Sequence, residues 1–370
     1  MVSRSVSRNL INAVIRVGLT ASLLVSAPVF ANDRADDSET QSGRPGRILI
    51  SVAASWDGSN VDQTAVNSLA AFRSQYGAIP MLHFVSPAYF SRSPKESERS
   101  VVLLRSSIRP GDQVGLHVAP WKSIVSRSES MFRSAPTFWG AEVTKRDCVS
   151  DCGREVPILV YEPEEIVRII ATSKSLLEEK GRDLPLVPAA HIAGWVASPD
   201  VHAALRRTGF TWSFSSVPPD QVAASLGQWP LMYWVRGLWG GLDRLPQPHD
   251  VTTPHGMLTE VTTSGALLDH STIAAARARF VDMAERARAN PSQEFVYHIG
   301  TEMASAVRQM PRLAMLVETL EVEAARMNVR VAPLRIPQVT RSIPILEQAT
   351  LQPTDKRPSD DPDRRPTPAH

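Results

Sequence analysis

The sequence has few cysteines, little net charge and no long apolar run after its N-terminal region, and each absence excludes a class of protein. Two cysteines in 370 residues cannot build a disulfide-rich scaffold or a four-cysteine zinc site. A formal net charge of +2 gives no electrostatic reason to expect a nucleic-acid partner. Past the N-terminal region, no segment approaches the roughly 18 apolar residues of a membrane-spanning helix.

Common catalytic motifs are also missing. The sequence contains no glycine-rich phosphate loop, no Gly-x-Ser-x-Gly turn and no His-Glu-x-x-His pair. Any active site must therefore be built from side chains that are scattered along the chain.

The first 31 residues predict a secretory signal peptide. Three arginines precede a short apolar stretch, which ends at small residues suited to cleavage after Ala31. An uncleaved anchor is the alternative. Cleavage removes the three arginines and no acid, which leaves 37 basic and 38 acidic residues, a net charge of −1. We expect a protein that is periplasmic or secreted and has no stable membrane insertion after cleavage.

Export changes the interpretation of the two cysteines, Cys148 and Cys152. In a reducing cytosol a Cys-x-x-x-Cys pair could hold a metal or carry out redox chemistry. In an oxidising compartment the pair is expected to form a local disulfide. Such a bridge would fix one loop while adding modest stability, because it closes a very small ring.

Composition divides the chain into four segments. Residues 32–46 are polar and predict a flexible lead-in, and residues 341–370 are rich in proline and charge and predict a disordered tail. Residues 47–340 between them predict a single folded domain. A less favoured interpretation makes the chain a scaffold whose tail recruits a partner.

Short apolar runs alternate with helical patterns through this domain, which is typical of strand–helix–strand units and a parallel sheet. Seven or eight such units favour an α/β fold in which the parallel strands form a (β/α) barrel. Strands are predicted at 47–53, 80–85, 113–118, 184–192, 210–214, 258–261, 295–299 and 329–332.

Titratable side chains collect at the carboxyl ends of these strands, where parallel β/α folds place their reactive groups. They are Asp57, His83, His117, His191 and His298. An aspartate and two histidines could hold a divalent metal with one open position, and a further histidine could act as acid or base. The alternative for each histidine is a hydrogen-bonded role in the core.

Eight tryptophans are many for this composition, and several lie in predicted loops. Exposed aromatic side chains beside a cleft can stack on sugar rings. Packing in the core is the alternative for each of them.

An ordered series of motifs from about Arg47 to Pro333 resembles exported members of the polysaccharide deacetylase superfamily. The motifs are Ser55-Trp56-Asp57-Gly58, Leu82-His83-Phe84, Gly111–His117 followed by Pro120-Trp121-Lys122, Asp151-Cys152-Gly153, Ala193-Gly194-Trp195 and Tyr297-His298.

The resemblance implies a distorted (β/α) barrel that removes N-acetyl groups from a polysaccharide or oligosaccharide. It also implies a divalent metal, often zinc, that polarises the acetyl group and activates a water. Asp57 then serves as metal ligand or base, His117 as a ligand and His298 as the general acid. Trp56, Trp121, His191 and Trp195 are implied to contact the sugar.

The sequence departs from the family pattern at three places. Asp57 stands where the family has an acidic pair, Trp121 stands where a second metal-binding histidine is expected, and His191 replaces an arginine that orients the base. His83 is then a candidate for the missing ligand. The alternative is a relative that binds glycan in the same cleft without turnover. The sequence leaves the oligomeric state open.

Overall fold

The computed structural model of the chain describes residues 45–337, apart from residues 93, 145, 149 and 150. The predicted signal peptide, the predicted tail and all but the end of the predicted lead-in lie outside the described residues. Within the described range, no helix is both long enough and apolar enough to cross a membrane.

Strands and helices alternate along the described residues. The strands are β1 (Gly46–Trp56), β2 (Met81–Val85), β3 (Gln113–Val118), β4 (Leu186–Ile192), β5 (Trp212–Ser216), β6 (His249–Thr253), β7 (Gly256–Thr262), β8 (Ala266–Leu267), β9 (Glu294–Glu302) and β10 (Val329–Pro333). The helices are α1 (Gln63–Gln75), α2 (Ala88–Ser91), α3 (Pro94–Ser107), α4 (Lys122–Arg127), α5 (Pro163–Lys180), α6 (Pro199–Arg207), α7 (Pro219–Leu226), α8 (Leu231–Trp239), α9 (Ile273–Ala289) and α10 (Ala306–Met327).

The strands form one sheet in the order β6-β7-β5-β4-β3-β2-β1-β9-β8, and β10 adds to β1. All the pairings are parallel except the β6–β7 hairpin. The prediction of a mostly parallel α/β sheet in one domain is therefore confirmed.

One connection draws the two ends of the sheet together. Residues 263–265 link β7 to β8. Within them, the Thr263 amide donates to the Ser216 carbonyl of β5 at 2.9 Å, and the Gly265 amide donates to the His298 carbonyl of β9 at 2.9 Å. No ladder joins β7 to β8 in the described sheet. The sheet is therefore curled, as in the predicted barrel, and residues 263–265 span the gap between β5 and β9.

The two faces of the sheet have different cores because successive residues of a strand point to opposite sides. The outer face packs against the helices through a large apolar cluster. The inner face carries a smaller cluster that includes Ala53, Leu82, Phe84, Ala189 and Phe214. Every second residue of a strand therefore points toward the interior, where the polar side chains at the strand ends can meet.

The eight predicted strands correspond to β1–β5, β7, β9 and β10, and the sequence pattern missed β6 and β8. β6 is an edge strand whose residues are mostly exposed, so it has no apolar run. β8 has only two residues. Both strands depend on their partners rather than on their own patterns.

A buried hydrogen bond between His202 and Glu260 ties α6 to the sheet. The His202 ring donates from Nε2 to Glu260 Oε2 at 3.1 Å, and the Ser215 amide and Ser216 hydroxyl donate to the other carboxylate oxygen. Burial by itself would raise the pKa of Glu260, but hydrogen bonding and charge from His202 and the serines hold that pKa below its ordinary value.

We predict that His202→Phe lowers the free energy of unfolding by about 1–3 kcal/mol, because it keeps a ring but leaves the Glu260 carboxylate without its main donor. Urea denaturation measures the change. Arg207→Ala on the same helix is the control. It removes an exposed pair with Glu164 and should cost less than about 1 kcal/mol. An equal loss in the two variants would contradict the prediction.

Candidate functional site

A cavity of about 150 Å³ opens at the carboxyl ends of β1, β3, β4 and β9. Its polar walls are side chains of Ser55, Asp57, His117, Arg154, Glu155, His191, His270 and Glu302, and its other walls are Ala119, Phe138, Trp139, Ala193, Gly194, Trp195, Leu231 and Leu267. The structure therefore brings together Asp57, His117, His191 and Trp195 of the predicted site.

Asp57 follows the last residue of β1 and is held by a tight turn. Gly58 has a φ of +98°, and a Cβ at this position would lie 2.5 Å from the Trp121 indole nitrogen. The glycine lets the indole approach and donate to the Asp57 backbone carbonyl at 2.9 Å. The Asp57 carboxylate accepts from the Ser59 amide at 2.9 Å, the Ser59 hydroxyl at 2.8 Å and the Arg154 guanidinium at 2.6 Å.

Arg154 reaches Asp57 from a loop that is fixed at several points. Cys148 and Cys152 form a disulfide, as predicted from the sequence. Next to it, the Asp151 carboxylate accepts from the Ser123 amide and hydroxyl at 3.1 and 2.6 Å, at the start of α4. The guanidinium therefore projects into the cavity from a constrained backbone.

His117 and His191 stand side by side on β3 and β4, with ring centroids 5.1 Å apart. His117 Nδ1 is hydrogen-bonded to the Ser55 hydroxyl at 2.9 Å, and its Nε2 is buried without a partner among the described residues. His191 donates from Nδ1 to the Phe214 carbonyl at 2.6 Å. Burial lowers the pKa of both rings, and the positive charge of Arg154 lowers that of His117 further, so both are neutral at pH 7.

Glu302, at the end of β9, completes the wall beside Asp57. The β1–β9 register pairs Glu302 with Ser55, two residues before Asp57. Burial raises the pKa of Glu302 to about 8, and the charges of Asp57 and Asp269 add to the rise. Glu302 therefore carries a proton at neutral pH.

The structure does not bring His83 to the cavity. Its neighbours Leu82 and Phe84 lie in the inner core, so the strand alternation turns His83 to the outer face. There its Nδ1 accepts from the Trp56 indole at 3.2 Å and its Nε2 lies 3.4 Å from Asp112. His83 thus has the core role that was the alternative to a metal ligand.

His298, the expected general acid, lies one layer beneath the cavity and is not among its lining residues. Its ring is hydrogen-bonded to the Ser51 hydroxyl at 3.0 Å and packs on Phe214. Burial and the neighbouring His191 lower the pKa of His298 to about 3. At neutral pH it is an uncharged imidazole rather than an imidazolium acid.

Of the three tryptophans expected to contact sugar, only Trp195 lines the cavity. Trp56 is 1% exposed on the outer face, and Trp121 is 5% exposed beneath the Asp57 turn. Trp139, to which the sequence analysis assigned no individual role, lines the mouth of the cavity with 40% of its surface exposed.

Trp139 begins an exposed aromatic rim outside the cavity. The Trp229 ring, 37% exposed, packs edge-on against Trp139 with centroids 5.6 Å apart. The two loops are held together because the Leu231 amide donates to the Phe138 carbonyl at 3.1 Å. Large apolar side chains exposed at the mouth of a cavity are typical of a binding surface.

The residues at this site do not fit the divalent metal that the family resemblance implies. The described residues contain no group of three or more His, Cys, Asp and Glu side chains placed to hold an ion. The Arg154 guanidinium is already paired with the Asp57 carboxylate. The Trp121 indole is a hydrogen-bond donor and cannot act as a metal ligand. His83 lies on the outer face of the sheet, away from the cavity. His117 Nε2, which has no partner among the described residues, is an atom on the cavity wall that a metal would satisfy.

Sequence reasoning missed Arg154 as a site residue. The signal was its position directly after the Asp151-Cys152-Gly153 motif, because a disulfide loop is a rigid place from which to present a side chain. Glu302 and Glu155 also line the cavity, Glu302 four residues after His298 in the sequence and Glu155 directly after Arg154.

Comparison with known proteins finds distant structural likenesses. No protein-family model matches the sequence, and no curated protein matches it either. Solved structures that resemble the chain include a protein described as a polysaccharide deacetylase from Mycobacterium smegmatis, with 12% identity, 82% of this chain and 97% of that chain covered, and a TM-score of 0.44.

Two further structures match at a similar level. A protein described as a polysaccharide deacetylase from Pseudomonas aeruginosa has 10% identity, and PuuE allantoinase has 11% identity. Each match covers 78% of this chain and 88% of the other chain, with a TM-score of 0.44. Two of these three structural neighbours are described as polysaccharide deacetylases.

Proposed function

We propose that the chain binds a glycan in the Arg154 cavity and that it does not carry out metal-dependent deacetylation there. The observation that carries this proposal is the ion pair between Arg154 Nη1 and Asp57 Oδ2 at 2.6 Å. It places a protein cation on the one acidic residue that the family motif retains, and the positive charge of that cation disfavours a metal ion beside the same carboxylate.

The walls of the cavity support a sugar as the ligand. Neutral imidazoles, a protonated carboxyl group and a guanidinium offer hydrogen-bond donors and acceptors of the kind that hydroxyl and acetamido groups use. Trp195 and Phe138 supply flat apolar walls, and the Trp139–Trp229 rim continues them outward. An oligosaccharide would place one sugar in the cavity and the next on the rim.

A metal-dependent deacetylase is the second candidate function. The observation in its favour is His117 Nε2, a buried imidazole nitrogen without a partner among the described residues, in the cavity that also contains Asp57. This candidate would require Arg154 to leave Asp57.

Export to the periplasm or to the outside of the cell remains part of the proposal. The Cys148–Cys152 disulfide supports it, because such bridges persist in oxidising compartments.

We predict that Trp139→Ala weakens the binding of a glycan hexasaccharide about tenfold or more, because the sugar loses an aromatic face worth about 1.5 kcal/mol or more of apolar contact. Isothermal titration calorimetry with hexasaccharides of N-acetylglucosamine and of glucose measures the dissociation constant. The matched control is Met315→Ala, which truncates an exposed apolar side chain on α10 away from the cavity. Equal affinities of Trp139→Ala and Met315→Ala would contradict a sugar-binding rim.

We also predict that the purified chain holds well under one zinc per molecule and that a chelator leaves its glycan affinity unchanged. The physical reason is that the positive charge of Arg154, paired with Asp57, disfavours a second cation at that carboxylate. Metal content is measured by mass spectrometry and acetate release by an enzymatic assay. One tightly bound zinc that is lost in Asp57→Asn, together with acetate release, would overturn the proposal in favour of the second candidate.

A further inference from the structure

Asp57 and Glu302 place two carboxyl groups on the walls of one cavity, and the two groups differ in the hydrogen-bond donors around them. They come from neighbouring strands, since the register pairs Ser55 of β1 with Glu302 of β9. No role in the proposed glycan binding requires both of them.

The Asp57 carboxyl group accepts hydrogen bonds from three donors. Ser59 contributes its amide and its hydroxyl, and Arg154 contributes a guanidinium nitrogen. Oδ2 accepts two of these hydrogen bonds and Oδ1 accepts one. Because each carboxylate oxygen has two lone pairs, Oδ1 keeps one of them for a further proton or a water.

Glu302 has none of these donors. Its backbone amide donates to Asp269 at 3.0 Å, but within the described part of the chain no hydrogen-bond donor contacts its carboxyl group. The charged groups that face it are Asp57 from the end of β1, Asp269 from the segment after β8 and Arg154 from the disulfide loop. The two carboxylates and the burial outweigh the guanidinium, so Glu302 is the protonated member of the pair.

One protonated and one charged carboxyl group in a sugar-sized cavity is the pair that glycosidic bond cleavage uses. We propose that Glu302 is a catalytic acid and Asp57 a catalytic base for metal-independent hydrolysis of a glycosidic bond of the bound glycan. This inference rests on the proposed function, since it requires the glycan to occupy the cavity, and it adds a reaction to binding.

The reaction balances without a metal or a redox partner. The Glu302 proton passes to the glycosidic oxygen as the bond from that oxygen to the sugar C1 breaks, and the electron pair stays on the leaving oxygen. A water oxygen bonds to C1 and its proton passes to Asp57 Oδ1. The net change is the addition of one water to the glycosidic bond. Solvent then returns the proton from Asp57 to Glu302.

The test uses the full exported chain, hexasaccharides of N-acetylglucosamine and of glucose, and a chelator throughout. Calorimetry measures binding, and labelling of new reducing ends measures cleavage. Glu302→Gln should lower kcat about 100-fold or more while leaving the dissociation constant within about threefold, because an amide cannot donate an acid proton. Glu164→Gln, an exposed carboxyl group on α5, is the matched control and should keep full activity.

The pH profile gives an independent readout. Glu302 must be protonated to act, so kcat/KM of the wild-type chain should fall above about pH 8, the pKa to which its surroundings raise it. Glu302→Asp, which keeps an acid, should retain more activity than Glu302→Gln. Its binding of the hexasaccharide confirms that the cavity is folded.

The outcomes separate the two proposals. Binding with Glu302-dependent release of reducing ends supports the inference. Binding with an intact glycan, or cleavage that Glu302→Gln leaves unchanged, overturns the inference while the proposed function stands. Absence of binding by the wild-type chain overturns the proposed function, and the inference fails with it.

Discussion

The ion pair between Arg154 and Asp57 joins a disulfide-fixed loop to the end of the first strand, and the character of the whole cavity depends on it. The two side chains are half-buried or buried, and the carboxylate receives two more hydrogen bonds from Ser59. The carboxylate is largely shielded from water, with 13% of its side chain exposed, whereas solvent screens the guanidinium, which is 40% exposed. The pair defines both the shape and the charge of the cavity floor.

Burial is the main cause of the pKa shifts of the neighbouring polar groups. The guanidinium adds to the burial that lowers the pKa of His117, and the Asp57 carboxylate adds to the burial that raises the pKa of Glu302, which Arg154 partly opposes. A neutral ring therefore lies on one wall and a neutral acid on the other. The result is a cavity rich in hydrogen-bonding groups with its charges confined to one side, next to walls of Phe138 and Trp195.

Much of the fold follows from patterns that act locally. Short apolar runs predicted eight of the strands in the described part of the chain, because strands of a parallel sheet are buried on both faces. The edge strand β6 is mostly exposed and has no apolar run, although it pairs with the adjacent strand β7, and β8 has only two residues. The hydrogen bonds by which residues 263–265 join β5 to β9 likewise form only when the whole sheet is assembled, and no local pattern predicts them.

The sequence by itself predicted that Asp57, His117 and His191 would stand at strand ends, and that Cys148 and Cys152 would form a bridge in an oxidising compartment. Only the tertiary structure decided which side chains share a cavity. Strand alternation turns His83 outward, depth along the strand puts His298 below the floor, and a loop far along the chain brings Arg154 onto Asp57. Side-chain direction and loop placement are set by packing across the sheet, and a linear pattern does not contain that information.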